Sequence, residues 1–319
     1  MSTASYNCPC CGGGPLKFSG ESGKLECTAC GNNYEPEALE MMTPEESIDE
    51  ITFANDAKRF DTGEAGMRAY FCKNCGAELM ADEITTAAEC PYCGSPTILP
   101  DRIEGGVKPE KVIPFVVSKE QQAQKQFEDY FKGKKLLPNV FLNSRNRISE
   151  MRRLYIPYWL FSCDACADMV YDAEKVHTEQ KGEWEITRTK HYLVRRRGGM
   201  RFENIPVDGS VKMDDKLTES LEPYDLSAAI PFQSAVLAGA MADHADADCD
   251  ACEKRAVERS VEQTMLDTVR DYDTVSERSR RIIAERGNAT PALLPVWLMT
   301  TVKEGKTYTL AVNGQTGKL

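Results

Sequence analysis

The chain has 319 residues, of which 41% are hydrophobic and 28% are charged, and its formal net charge is −11. This composition is typical of a globular protein with two or three domains and enough apolar residues for at least one packed core. The least polar run, residues 227–242, is interrupted by Pro231 and Gln233. It is shorter than the roughly 18 to 20 residues that a membrane-spanning helix needs, so no transmembrane segment is expected.

The acidic excess lies at the N-terminus. Residues 1–105 contain 7 Lys and Arg against 18 Asp and Glu, so the rest of the chain is balanced. Proteins bind nucleic-acid phosphates through Lys and Arg. The acidic N-terminal region is therefore a poor non-specific surface for nucleic acid.

Twelve of the 13 cysteines form C-x-x-C pairs, and Cys10 is left over. The pairs are Cys8/Cys11, Cys27/Cys30, Cys72/Cys75, Cys90/Cys93, Cys163/Cys166 and Cys249/Cys252. The N-terminus lacks the basic and apolar regions of a signal peptide, so a cytoplasmic location is expected. In that reducing compartment, paired thiols indicate metal ligands before disulfides.

The first four pairs predict two zinc ribbons. They have the spacings C-x2-C-x15-C-x2-C and C-x2-C-x14-C-x2-C, in which the intervening segment is long enough for a hairpin that brings four thiolates around one Zn²⁺. A closed four-thiolate set leaves no position for water, so each site is predicted to be structural rather than catalytic. A glycine follows each pair, where a tight turn often needs positive φ: Gly12, Gly31, Gly76 and Gly94. Cys10 is predicted not to be a ligand.

The predicted fold class is α+β, with the two ribbons followed by an antiparallel-sheet domain covered by helices. The predicted domains are ribbon 1 over residues 1–40, an acidic linker with a short helix over 41–69, ribbon 2 over 70–104, and the α+β domain over 105–319. Two strings share the pattern apolar-Pro-x-Trp-Leu, LYIPYWLF from Leu154 and LLPVWLMT from Leu293. Both predict strands that enter at an edge of the sheet, with Pro157 and Pro295 tolerated near the strand starts.

Other elements of this domain follow from periodicity. Residues Val112–Val117 predict a strand, and Ser118 caps a predicted helix with Phe127, Tyr130 and Phe131 on one face and Gly133 at its end. Helices are also predicted in DDKLTESLE and over about 248–272, where Val257, Val261, Met265, Val269 and Tyr272 share a face. The C-terminal sequence predicts a β-hairpin.

The string CDAC occurs twice, at Cys163–Cys166 and at Cys249–Cys252. The first follows an apolar strand and is expected at a turn, whereas the second begins a predicted helix whose dipole favours thiolates. We hypothesise that all four cysteines bind a third zinc. His244 is a candidate to replace one thiolate, although a lone histidine in such a position is more often a surface residue. A redox-active pair with a low thiol pKa and thiols without metal are the alternatives.

A local basic patch consists of Arg188, Lys190, Arg195, Arg196, Arg197 and Arg201. A solvated hairpin face is the favoured interpretation. Binding of an anionic partner, whether protein, lipid headgroup or nucleic acid, is the alternative.

Several strings beyond residue 70 resemble one family: AYFCKNCGAELMADEITTAAECPYCGSPTILPDRI, VIPFVVSKEQ, YFKGKKLLPNVF, LYIPYWLF and ALLPVWLMTTVKEGKTYTLAVNGQTGK. They are similar to bacterial transcription-factor-IIB-type zinc-ribbon proteins, some of which are labelled primosomal-helicase-like. The resemblance covers nearly all of residues 70–319 and implies no established catalytic activity. Family members often continue into transmembrane segments, and their genes often neighbour those of membrane-stress and SPFH-domain proteins.

These observations lead to one expected function and two alternatives. The expected function is a non-enzymatic zinc protein that serves as a scaffold or adaptor for protein partners at the cytoplasmic face of a membrane, reached through a partner or a segment beyond this chain. No Walker A string for nucleotide phosphates is present, and no small-molecule substrate is expected. The alternatives are a nucleic-acid-binding ribbon factor for replication or transcription and a thiol redox protein that uses a CDAC pair.

Overall fold

The structure is a computed structural model. It describes residues 8, 11, 15–42, 47–60, 66–82, 84, 89–96, 98–101, 106–117, 125, 129, 151–303 and 306–319. The chain divides into two compact units. Unit 1 comprises Met1–Thr52, Asp164–Arg201 and Ser260–Glu285, and unit 2 comprises Phe53–Cys163, Phe202–Arg259 and Arg286–Leu319.

Strands dominate the described residues. They are β1 (Leu16–Ser19), β2 (Lys24–Cys27), β3 (Asn33–Tyr34), β4 (Ile48–Ala54), β5 (Met67–Cys72), β6 (Glu78–Asp82), β7 (Ile98–Asp101), β8 (Lys111–Val112), β9 (Arg152–Lys181), β10 (Trp184–Asp208), β11 (Ile230–Pro231), β12 (Met241–Asp243), β13 (Thr274–Lys303) and β14 (Lys306–Asn313). The predicted C-terminal hairpin is confirmed, because β13 and β14 pair antiparallel from Val296↔Asn313 to Lys303↔Lys306.

Helices are short. They are α1 (Pro36–Met42), α2 (Asp215–Ser220), α3 (Cys249–Val257) and α4 (Gln263–Asp267), with a π-helical turn at Glu258–Glu262 and 3₁₀ turns at Leu226–Ala228 and Ser234–Leu237. The predicted helix in DDKLTESLE is confirmed as α2, which Asp214 caps by accepting from the amides of Lys216 and Leu217. Within the described residues, none of the helices has the length and apolar character that a membrane crossing requires.

Unit 1 contains the small antiparallel sheet β1-β2-β3 of the first ribbon. It also contains the neighbouring parts of β10, β9, β13 and β4, in which β9 pairs with β10 and β4 pairs with β13. Between Asp164 and Ala173, one face of β9 is buried, and Val170 on the other face is buried as well. The residues of the covered face are Ala165, Ala167, Met169, Tyr171 and Ala173. Val261, Met265 and Val269 of the predicted long helix are buried too, although regular helix ends at Asp267, before Tyr272.

Unit 2 is built on a mixed sheet, and the prediction of an antiparallel one is wrong in this respect. Two of its pairings are parallel: Met241 and Ala242 of β12 lie against Leu154 and Tyr155 of β9, and Lys111 and Val112 of β8 lie against Ala292 and Leu293 of β13. Both parallel partners are strands of two or three residues from distant parts of the chain. The second ribbon joins the same sheet, because β6 pairs with β12 and β5 pairs with β6 and β7.

The two proline-containing strings lie inside this sheet, so their prediction as edge strands is wrong. The whole stretch Leu154–Phe161 is buried on both faces. Pro157 and Pro295 each lie two residues after the last residue paired with a short parallel strand, Tyr155 and Leu293. An interior strand can therefore tolerate a residue without an N–H at the point where its neighbour has ended.

Residues 112–117 form less strand than predicted. β8 ends at Val112, although Ile113 still donates its amide to the carbonyl of Leu293 at 3.0 Å. Of the helix predicted between Ser118 and Gly133, the structure describes Lys125 and Asp129, which are both helical, and the rest lies outside the described residues.

Candidate metal centres

The first ribbon brings its four cysteine sulfurs together. The Sγ atoms of Cys8 and Cys30 are 3.6 Å apart, as are those of Cys11 and Cys27, and all four lie within 4.8 Å of one another. A tetrahedron with Zn–S bonds of about 2.3 Å has edges of about 3.8 Å. The spacing therefore fits one metal ion. Cys8 and Cys27 are buried, whereas Cys11 and Cys30 are exposed.

The second ribbon repeats this geometry in a more buried setting. The sulfurs of Cys72 and Cys93 are 3.7 Å apart, and those of Cys75 and Cys90 are 3.6 Å apart. Cys72 and Cys90 have 0% exposure and belong to the main hydrophobic core of unit 2. Both predicted ligand sets are thus assembled as possible metal sites.

Three of the cysteine turns share one backbone pattern, which explains the glycine after each pair. The amides of Gly31, Gly76 and Gly94 donate to the carbonyls of Cys27, Cys72 and Cys90 at 2.8 to 2.9 Å. These glycines have φ of +76°, +72° and +70°, a conformation that side chains with a Cβ rarely adopt. Gly12, like Cys10, lies outside the described residues.

In the second set, burial favours protonated thiols unless a cation is bound. Burial raises the pKa of Cys75 to about 11 and raises that of Cys90 further. Burial acts in the same sense on Cys93, but hydrogen bonds from the Asn74 side chain and the Ser95 backbone lower its pKa to about 7. Thiolates held this close repel one another unless a metal neutralises them. A tetrahedral set of four sulfurs suits Zn²⁺ or iron.

The second ribbon is fastened to its unit by polar contacts that the spacing did not reveal. Lys212 Nζ donates to the carbonyl of Cys75 at 2.9 Å, and Arg152 Nη1 donates to that of Cys90 at 3.2 Å. Tyr92, inside the fourth cysteine turn, donates its hydroxyl to Asp243 of β12. The tyrosine in the string CPYC could have indicated such a contact, because a buried tyrosine usually needs a hydrogen-bond partner for its hydroxyl.

The two CDAC strings do not show the local structure that their joint site requires. Cys163 and Cys166 lie in the middle of β9, so the prediction of a turn there is wrong. Side chains three residues apart in a strand point to opposite faces; accordingly, Cys163 is buried and Cys166 is exposed. Among the described residues, the groups with metal-binding geometry are the two ribbon sets, and neither includes a CDAC cysteine or His244.

Cys249 and Cys252 open helix α3 as predicted, but their environment does not favour thiolates. Both are buried, and burial raises the pKa of Cys249 to about 12 and that of Cys252 to about 11. The charge of Glu253 adds to the first shift and that of Asp208 to the second. A reactive thiol needs a lowered pKa and access to its substrate, so this geometry counts against the redox alternative.

Most cations of the basic patch have acceptors in unit 1. Arg195 donates two bonds to Asp168 at 2.6 and 2.7 Å, and Arg201 donates to Asp164 at 2.6 Å. Arg188 lies 3.3 Å from Glu179, and Arg196 donates to the carbonyl of Thr268 at 3.4 Å. Arg197 is 3.9 Å from Asp168, and Lys190 is exposed. These cross-strand pairs agree with a solvated sheet face, and an anionic partner for the patch stays a prediction.

The site and the fold define a class: a protein rich in β-strand with two four-cysteine groups able to bind metal. The chain is 36% identical over 318 residues to YdjG, an uncharacterised protein of Bacillus subtilis strain 168, and the match covers 99% of this chain and 88% of that protein. The chain therefore belongs to the YdjG family. No family model matches it. No solved structure matches it either.

Proposed function

We propose that the protein is a non-enzymatic zinc-binding adaptor, which presents surfaces to protein partners at the cytoplasmic face of a membrane. Zn²⁺ is the proposed occupant of both ribbons, because four thiolates in a tetrahedron form a closed structural site. The metals would then stabilise the fold rather than activate water. The location at the membrane rests on the proposed resemblance to transcription-factor-IIB-type zinc-ribbon proteins, whose members often continue into transmembrane segments.

Phe18 of the first ribbon is the observation that carries the adaptor role. Its side chain is 63% exposed on β1, where it lies opposite Leu25 of β2. An aromatic residue held open on a small metal-stabilised sheet is a typical anchor for a protein partner. The second ribbon differs, because its cysteines belong to the core of unit 2. We therefore assign partner contact to the first ribbon and a stabilising role to the second.

Affinity purification from the native host tests this proposal. A tagged wild-type chain is compared with Phe18→Ser and with Lys17→Ser, a matched control at the neighbouring exposed position of β1. We expect Phe18→Ser to lose at least one specific partner that Lys17→Ser retains, with zinc content unchanged in both. Identical partners for all three proteins would reject the assignment to Phe18.

A further inference from the structure

Unit 1 carries a β-hairpin arm, residues 175–192, formed by the end of β9 and the start of β10. Gly182, with φ of +67°, provides the turn. None of these residues is buried, so both faces of the arm are open to solvent. Trp184 stands next to the turn and is 77% exposed. An exposed tryptophan indicates a contact surface, because tryptophan is enriched at protein–protein interfaces.

Cross-strand contacts fix the arm although it has no core. The hydroxyls of Thr178 and Thr187 are 3.3 Å apart, and Arg188 contacts Glu179 at 3.3 Å. At the base, Tyr192 packs edge-on against Tyr272 with ring centroids 5.3 Å apart. A two-stranded hairpin is marginally stable alone, so these contacts hold Trp184 in position at the tip.

The tip is acidic around its tryptophan. Glu183 and Glu185 flank Trp184 and outnumber the exposed Lys181 on the other side of the turn, and within the described part of the chain no ion pair engages either carboxylate. A partner for the tip must therefore offer apolar surface for the indole ring and positive charge for the two glutamates.

The same unit contains a groove with that combination. Its volume is about 960 Å³, and apolar side chains of Ile48, Val170 and Ile283 line it together with Arg195, Arg197 and Arg281. The side chain of Arg197 is 80% exposed and lies 3.9 Å from Asp168. That of Arg281 is 59% exposed and lies 4.0 Å from Glu50. Both guanidinium groups are thus loosely held and accessible to another carboxylate.

We propose that the arm tip of one copy of this chain docks into the groove of a second copy, with Trp184 on the apolar residues and Glu183 and Glu185 facing Arg197 and Arg281. Tip-to-tip contact is disfavoured, because it would bring together four carboxylates and only two lysines, the Lys181 of each copy, and so leave a net negative charge. One tryptophan buries about 150 to 250 Å², well below the roughly 800 Å² per partner of a standard interface. The contact is therefore made twice, reciprocally across a two-fold axis. This inference goes beyond the adaptor role and does not depend on it.

Sedimentation velocity between about 1 and 100 µM chain tests for the dimer. Trp159 and Trp297 are only 2% and 3% exposed, so a blue shift of tryptophan emission with concentration reports Trp184. We expect Trp184→Ala to raise the dimer dissociation constant at least about tenfold. Val176→Ala, on the same arm and 44% exposed, should leave it unchanged. A monomer throughout this range, or a dimer that Trp184→Ala does not weaken, would overturn the proposal.

A charge exchange identifies the groove. Glu183→Arg with Glu185→Arg gives a basic tip, and Arg197→Glu with Arg281→Glu gives an acidic groove; each variant alone should fail to dimerise. In an equimolar mixture both reciprocal contacts become attractive, so dimers should return, and they should weaken as salt is added. A mixture that stays monomeric while each variant still binds two zinc ions would overturn the assignment of the groove.

Discussion

Tyr92 of the second ribbon donates its hydroxyl to the carboxylate of Asp243 in β12. The hydroxyl of Ser210 donates to the same oxygen at 2.5 Å. Asp243 is 2% exposed, and burial raises its pKa to about 6 although both hydroxyls act against the shift. The ribbon is therefore tied to its sheet by a buried carboxylate that depends on protein donors rather than on water.

Removal of the Tyr92 hydroxyl should destabilise unit 2. We expect Tyr92→Phe to lower the free energy of unfolding by about 1 to 3 kcal/mol, because a buried acceptor loses a donor. Urea denaturation monitored by tryptophan fluorescence measures this, since Trp159 and Trp297 belong to that unit. Tyr192→Phe is the control, because it keeps an aromatic ring on the exposed arm and should change stability by less than about 0.5 kcal/mol. Equal stability of the two variants would contradict the role of Tyr92.

The two ribbons should release metal at different rates. Two sulfurs of the first set are exposed, whereas the second set is part of a hydrophobic core. A chelator should therefore remove zinc in two phases, the fast phase from the first ribbon. Elemental analysis of samples desalted at successive times follows the loss.

Single substitutions assign the two phases. Cys27→Ser should abolish the fast phase and leave the unfolding transition of unit 2 intact. Cys90→Ser should remove the slow phase and strongly destabilise the same unit, because metal binding contributes folding free energy. One common rate for both ions would show that burial does not control their release.

Whether a sequence prediction is confirmed depends on whether adjacent residues or distant parts of the chain determine the feature. The ribbons were predictable because ligand spacing and a positive-φ glycine are properties of a few adjacent residues, as at Cys72 and Gly76. The position of Cys163 within a continuous strand was not predictable, because pairing with distant segments extends β9 through the CDAC string. The positions of Pro157 and Pro295 likewise depend on where β12 and β8 end. Tertiary structure determines where these two strands end, and no local sequence pattern encodes it.

Zinc stoichiometry checks the assignment of ligands. Because the groups with metal-binding geometry are the ribbon sets, we expect about two zinc ions per chain, and the same number after Cys249→Ser with Cys252→Ser. Cys10→Ser should also keep both ions. Elemental analysis on protein purified without added metal decides this, and a loss of one ion in the double variant would restore the shared CDAC site.

Binding to nucleic acid should be weak. Most arginines of the patch are engaged by acceptors such as Asp164 and Asp168, and the N-terminal region is acidic. We expect no measurable binding to duplex DNA or to RNA at about 50 mM salt in fluorescence anisotropy. Affinity at that salt that falls steeply with added salt would instead support the nucleic-acid alternative.

Stability should fall as pH rises through neutrality, because Asp208 is buried and forms no ion pair within the described residues. Its exposure is 5%, and burial, with further contributions from the charges of Asp215 and Asp243, raises its pKa to about 7. An aspartate in the unfolded chain titrates near 3.9, so the folded state binds the extra proton between these values. The contribution is present at low pH and is lost as pH rises through about 7.

Asp208→Asn isolates this contribution, because asparagine has a similar shape and no charge. Between about pH 5.5 and 8 the metal sites keep their thiolates. Over this range, ionisation of Asp208 should lower the free energy of unfolding of the wild type by about 2 kcal/mol. The variant should show a correspondingly flatter profile in urea denaturation, with its advantage largest at pH 8. Asp243 is present in both proteins, but its charge raises the pKa of Asp208, so the difference between the two profiles includes this coupling. Parallel profiles for the two proteins would mean that Asp208 does not hold a proton in the folded state.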